Sequence, residues 1–172
     1  MKLEYVHYLP NGEIARKCRI NFLSLNKYNY YNLYEKFSEN HTWYTKYDLK
    51  QNRYYKFHNI TDTLIAEGDM KNGYFHVGQD MHRELLLEKQ TTYLGFEAIQ
   101  VIEKINTGEH RIVALHNSCV NDFVETDFIY KLPISSRRTF GQRFKDYGII
   151  ASRETKYSSS YIKMFEITRI YD

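Results

Sequence analysis

The sequence predicts an α+β protein in which a hairpin-started sheet with helices, residues 1–116, is followed by a winged helix-turn-helix, residues 117–172. Three observations lead there. Asn11-Gly12 lies between two runs of alternating polar and apolar residues, the mark of a tight hairpin. Apolar residues recur at helical spacing in "TTYLGFEAIQVIEKI". The last third reads, in order, as helix, turn, helix and two alternating strands.

Taken along the chain, "KLEYVHY" and "IARKCRINFLSL" are the two strands of the first hairpin, since Asn-Gly tolerates the positive φ angles of a type I′ turn. "YNYYNLYEKFSEN" puts Tyr31, Leu33, Tyr34 and Phe37 on one face of a helix. His41 to Ile65 is polar and aromatic by turns and reads as mixed strand and loop. Asn72-Gly73 marks a further turn leading into a strand. In "TTYLGFEAIQVIEKI" the stripe is Leu94, Ala98, Val101, Ile102 and Ile105, with Thr91 or Thr92 as cap and Gly108 beyond the end. "HRIVALH", His110 to His116, is a strand, and the domain boundary falls near Asn117.

Beyond it, Val120, Phe123, Val124 and Phe128 form the apolar face of a helix that ends at Leu132-Pro133. Ser135 or Ser136 caps a second helix and Gly148 closes it. At about 100° per residue, Phe140, Phe144 and Tyr147 turn inward while Arg138, Gln142 and Lys145 point out, with Arg137 and Arg143 on the flanks. Ile149–Tyr157 and Tyr161–Tyr171 then alternate around Ser158-Ser159-Ser160 as a wing carrying Arg153, Lys156 and Lys163. Such side chains read base edges and grip phosphates.

Composition agrees with a globular chain: 172 residues, 42% hydrophobic and 26% charged, with 17 Tyr, 10 Phe and two Pro. Net charge is +3, but residues 131–172 hold nine Lys or Arg against four Asp or Glu, an asymmetry that hints at a polyanion. No apolar run approaches the roughly 20 residues of a membrane helix, and the start lacks the apolar core of a secretory signal. Cys18 and Cys119 form no CxxC pair, so free thiols in a reducing cytoplasm are expected, without structural zinc.

"SCVNDFVETDF…ISSRRTFGQRFKDYGI" followed by a basic hairpin resembles the C-terminal winged-helix module of phage and plasmid primase-helicases, over Asn117 to Asp172. The resemblance implies nucleic-acid contacts from Arg137, Arg138, Gln142, Arg143 and Lys145 on the helix and from Arg153, Lys156 and Lys163 on the wing. The chain has no GxxxxGK[ST] phosphate loop, so the helicase ATPase is not implied.

Groups able to do chemistry are present but form no complete catalytic spacing. His76, Asp80, His82 and Glu84 lie within nine residues and suit a metal or acid-base site, without an HExxH spacing. His116-Asn117-Ser118 resembles half of a two-histidine phosphoesterase site whose second half is missing: His58 is followed by Thr61 and His41 by Thr42. Asp146 with Glu154 and Lys156 has the residue types of a metal-dependent nuclease at too short a separation. The tyrosines of "YNYYNLY" and "NRYYKF" either stack on unpaired bases beside Arg53 and Lys56 or seal a core or a protein interface.

The expected function is therefore a cytoplasmic, non-enzymatic nucleic-acid-binding or regulatory protein of phage or mobile-element type, with DNA ahead of RNA as partner and no cofactor, metal or membrane. The alternative is an interaction inhibitor, such as an anti-CRISPR protein, that occupies the nucleic-acid channel of a host nuclease. A small nuclease or phosphoesterase using His76, His82 or His116 is third.

Overall fold

The computed structural model describes residues 1–35, 43–70, 83–105, 108–133 and 145–172. Among them the chain runs through eleven strands: β1 (Lys2–Tyr8), β2 (Ile14–Ser24), β3 (Lys27–Glu35), β4 (Trp43–Asp48), β5 (Arg53–His58), β6 (Leu64–Asp69), β7 (Arg83–Tyr93), β8 (Phe96–Ile105), β9 (Gly108–Leu115), β10 (Ile149–Tyr157) and β11 (Ser160–Tyr171). They form one antiparallel sheet in the order β6-β5-β4-β3-β2-β1-β11-β10-β9-β8-β7. The sheet is two meanders, β1 to β6 and β7 to β11, zipped together where β1 pairs with β11.

This architecture overturns the α+β class and the winged helix. Helical structure among the described residues is limited to two 3-10 turns, Asn117–Cys119 and Thr126–Lys131. The stripe expected to be a helix from Thr92 to Ile105 is instead the β7–β8 hairpin, with Tyr93 opposite Phe96. Its turn is Leu94-Gly95, both at positive φ (50° and 86°), the backbone of a two-residue type I′ turn. β8 misleads because its buried face, Ile99, Val101, Glu103 and Ile105, is accompanied on the other by buried Ala98 and half-buried Ile102. Ala98 packs in the main core, while Ile99 and Val101 join Ile112 and Ala114 in a second cluster. Apolar residues on both faces of a strand can supply the i, i+3, i+4, i+7 series of a helix, as Ala98, Val101, Ile102 and Ile105 do here.

"YNYYNLYE" is strand β3 for the opposite reason, because its period is two. Tyr28 and Tyr30 belong to or pack against the core, and Tyr31 points the other way to stack on Tyr44. Of the expected apolar face in residues 117–132, Val120 and Val124 are buried, and Phe123 and Phe128 are half-buried against the core. Glu125, however, is extended (φ −65°, ψ 140°) and divides the segment into the two short turns. The second predicted helix falls largely on residues outside the described set; Lys145 to Gly148 are a turn leading into β10. The hairpin predicted as a wing does form, with Tyr157 opposite Ser160. It is no projecting wing: β10 pairs with β9 and β11 with β1, so both strands lie in the middle of the sheet. The sheet is thus continuous past residue 117.

The first hairpin is present, but Leu9 to Glu13 form a wider loop in which Leu9 N–H donates to Glu13 O and Gly12 N–H to Leu9 O. Gly12 alone takes a positive φ there (85°).

The main core joins Leu3 and Tyr5 of β1, Cys18, Ile20 and Phe22 of β2, Tyr28 of β3, and Phe165 and Ile167 of β11. Residues 117–133 strap across it, contributing Val120, Val124, Ile129 and Leu132. Two buried asparagines fasten the strap. Asn26, in the β2–β3 turn at φ 60°, donates its N–H to Phe123 O and accepts Glu125 N–H on its side-chain oxygen at 3.1 Å. Asn117 donates from Nδ2 to Lys145 O at 2.7 Å and accepts Gly148 N–H on Oδ1 at 2.6 Å.

Candidate interaction surface

Strands β4 to β6 are half-buried or exposed on both faces for most of their length, as is β7 at the other edge of the sheet. On the face away from Tyr28, where the strand registers set these residues side by side, a row runs from Arg169 through Glu4, Arg19, Tyr31, Tyr44 and Phe57 to Leu64. Its two halves have different chemistry. At the β11 end, Glu4 Oε1 accepts from Arg19 Nε at 3.0 Å, Arg19 NH2 at 2.7 Å and the Tyr171 hydroxyl at 2.7 Å. Partial burial pushes the Glu4 carboxyl up, but these hydrogen bonds and the two guanidiniums outweigh it and hold the group below its ordinary value.

The other half is an aromatic ladder. Tyr31 stacks on Tyr44 (centroids 5.0 Å, 23° between planes) and Tyr44 on Phe57 (5.4 Å, 18°), and Leu64 continues the row at 48% exposure. Directly opposed aromatic pairs hold neighbouring strands together. A bulge at Ile65, between the pairs Lys56–Ala66 and Phe57–Leu64, brings Leu64 and Glu67 to one face despite their odd spacing. The next row is Asn29, Lys46, Tyr55, Glu67 and the one after it Lys27, Asp48, Arg53, Asp69.

The β5–β6 turn at the end of this face is locked. His58 Nδ1 accepts from the Ile60 and Thr61 amides at 3.4 Å, and the Tyr44 hydroxyl donates to Asp62 at 2.5 Å. Burial and that carboxylate together push the Tyr44 hydroxyl up to about 12. The turn presents Ile60 at 83% exposure. On the opposite face the Lys56 ammonium lies 4.0 Å from the centroid of Trp43, the sole tryptophan.

Of the residues expected to contact nucleic acid, Lys145, Arg153, Lys156 and Lys163 are described. Arg137, Arg138, Gln142 and Arg143 lie outside the described residues, as do His76, Asp80 and His82. Lys145 is exposed in the turn before β10, and Arg153 sits within β10, opposite Ile112 and Phe165, with an interaction partner of its own. Lys156 is bound to Glu109 at 3.1 Å and Lys163 to Glu166 at 2.5 Å. Glu109 also accepts from the Tyr161 hydroxyl, the largest cause of its lowered pKa. Arg111 pairs with Glu154 at 2.8 Å and lies 3.9 Å from the Tyr161 ring centroid. The excess of cations in residues 131–172 is thus partly met by carboxylates from β9 and by the strand's own acids.

The histidine sites fare similarly. His116 Nδ1 faces the Ser118 hydroxyl at 2.7 Å and accepts the Ser118 amide at 3.2 Å, which is the geometry of a cap on the following 3-10 turn. Its ring meets Tyr147 edge-on at 5.3 Å, and among the described residues no second imidazole is bonded to it. His58 is spent on its turn. Asp146 lies in the turn before β10 and Glu154 is paired with Arg111. Glu84 is exposed on β7. Among the described residues no group of three His, Cys, Asp or Glu is arranged to hold a metal ion, and no described helix is long and apolar enough to cross a membrane. The ladder was signalled in the sequence by "YNYYNLY" and "NRYYKF"; what no single segment showed was the register that joins them.

No protein-family model matches the chain, and no curated protein does. Among solved structures the chain is similar to one described as "Structure of PNGF-II in C2 space group", with a TM-score of 0.41 and 11% identity over 98% of this chain and 26% of that one. The chain spans about a quarter of that structure's length, and no activity is carried over from it.

Proposed function

We propose that this is a non-catalytic interaction protein that binds a protein partner through the open face of β3 to β6. The observation that carries this reading is the ladder Tyr31–Tyr44–Phe57 continued by exposed Leu64. A single-strand reader needs free ring faces on which bases lie. Here both faces of Tyr44 are occupied by its neighbours, so the row offers ring edges, hydroxyls and aliphatic surface. Aromatic residues of that kind, fixed by packing, anchor protein interfaces. The pairing of Lys156 and Lys163 with carboxylates supports the same choice, since a paired cation releases fewer counterions from a phosphate backbone.

The test is a capture experiment from the native host with nuclease-treated lysate, alongside binding of duplex and single-stranded DNA and RNA across a salt series. A captured protein that is retained by Lys156→Ala/Lys163→Ala and lost by Tyr44→Ala/Phe57→Ala supports the reading. Salt-sensitive nucleic-acid binding that survives loss of the ladder and disappears with the two lysines contradicts it.

A further inference from the structure

Resting on that reading, we propose that a second copy of this chain is an occupant of the β3–β6 face, docked about a two-fold axis that runs parallel to the strands between β4 and β5. The face is its own complement under that operation. Rotation about such an axis lays β3 on the second copy's β6 and β4 on its β5 while keeping the rows in step. In the first row Tyr44 then meets the second copy's Phe57 and Tyr31 its Leu64. In the second row Lys46 meets the Tyr55 ring and Asn29 meets Glu67. In the third, Lys27 meets Asp69, and symmetry makes every one of these contacts twice. The side chains concerned are accessible: Lys27, Leu64, Glu67 and Asp69 are exposed and Tyr31, Tyr44, Lys46, Tyr55 and Phe57 half-buried.

The alternative two-fold axis, across the strands, lacks this match. It reverses the rows, setting Leu64 on Asp69 and Tyr44 on buried Asp48, so apolar groups would desolvate carboxylates. Aligned packing of two sheets allows a crossing angle of about 30°, small enough to preserve contacts near the axis. Four strands at about 4.8 Å and three rows about 6.8 Å apart give a flat patch of about 400 Å². That is about half of the roughly 800 Å² per partner in a standard interface, so the dimer is expected to exchange.

Sedimentation equilibrium from about 10 µM to about 1 mM covers the weak range. The weight-average mass should rise from the monomer value of 20.8 kDa toward twice that. Asp69→Lys should keep the chain monomeric throughout, and Asp69→Lys/Lys27→Glu should restore association, with melting curves confirming that each variant folds. Because Lys27 also lies 3.4 Å from Asp48 within the chain, a mixture of Tyr31→Cys and Leu64→Cys chains provides a second readout: oxidation should link one to the other in preference to a β-edge pairing. A wild-type mass that stays monomeric at the top concentration overturns the proposal, as does undiminished association of Asp69→Lys. If the wild type is monomeric while Tyr44→Ala/Phe57→Ala still loses a host protein, the face is a docking surface but a second copy is not its occupant.

Discussion

Replacing Gly148 with alanine tests the fastening of the strap to the sheet. A Cβ at that position would lie 2.3 Å from Ile129 Cγ2 and 2.5 Å from Asn117 Oδ1, where ordinary contacts are 3.4 Å or more. Both neighbours are buried, and neither is the free end of a flexible side chain. Overpacking of this kind costs about 1–3 kcal/mol. Asn117 cannot retreat without stretching the bond it accepts from Gly148 N–H, a buried donor whose loss costs about 1–3 kcal/mol more. A total near 3 kcal/mol corresponds to a fall in Tm of roughly 6–12 °C for a chain of this size. Thermal unfolding followed by circular dichroism measures it. Gly12→Ala is the control: it has a positive φ (85°) but no atom within 4 Å of its Cβ, so only backbone strain of about 1–2 kcal/mol is added. Gly148→Ala melting within a degree or two of the wild type would refute the close approach of Ile129 and Asn117, and with it the docking of residues 117–133.

Three further outcomes follow from the same contacts. Asn117→Ala removes the acceptor of Gly148 N–H and the donor to Lys145 O, and should lower stability by about 2–4 kcal/mol in a denaturant melt. Glu4→Gln should destabilise at neutral pH and not in acid: the lowered pKa of Glu4 means that its contribution is present above the ordinary carboxylate range and lost as pH falls through the folded value; a Tm gap between variant and wild type that persists in acid would contradict this. Cys18 is fully buried and burial pushes the Cys119 thiol up to about 12, so a thiol reagent should label neither quickly in the native state and both on unfolding.

Parts of this fold were readable from the chain and parts were not, for physical reasons. The β1–β2 hairpin and β9 were legible because Asn11-Gly12 supplies a turn and "HRIVALH" is short, apolar and β-branched. The β10–β11 hairpin was legible as local structure, yet its place in the sheet depends on pairing with β9 and β1, and no local pattern encodes that. β8 reads as a helix because Ala98 and Ile102 on its second face complete an i, i+3, i+4, i+7 series with Val101 and Ile105. β3 was misread because five aromatic or apolar residues in eight match a helical stripe as readily as two opposed strand faces. Residues 120–132 carried the right buried side chains but the wrong backbone, since Glu125 breaks the helix without a proline or glycine to announce it. Of the candidate site, the aromatic segments were visible and their partnership was not. The bulge at Ile65, which turns Leu64 onto the ladder's face, leaves no mark in the sequence.

The most direct test of the central claim, that the open face of β3 to β6 is the working surface, is a backbone amide chemical-shift map. Spectra are recorded as protein concentration rises and, in parallel, as a DNA duplex is added at fixed protein. The account predicts shifts that grow with concentration and cluster on Tyr31, Tyr44, Tyr55, Phe57 and Leu64, with the duplex leaving the spectrum unchanged. Shifts that appear only with DNA and centre on Lys145, Lys156 and Lys163 would contradict it.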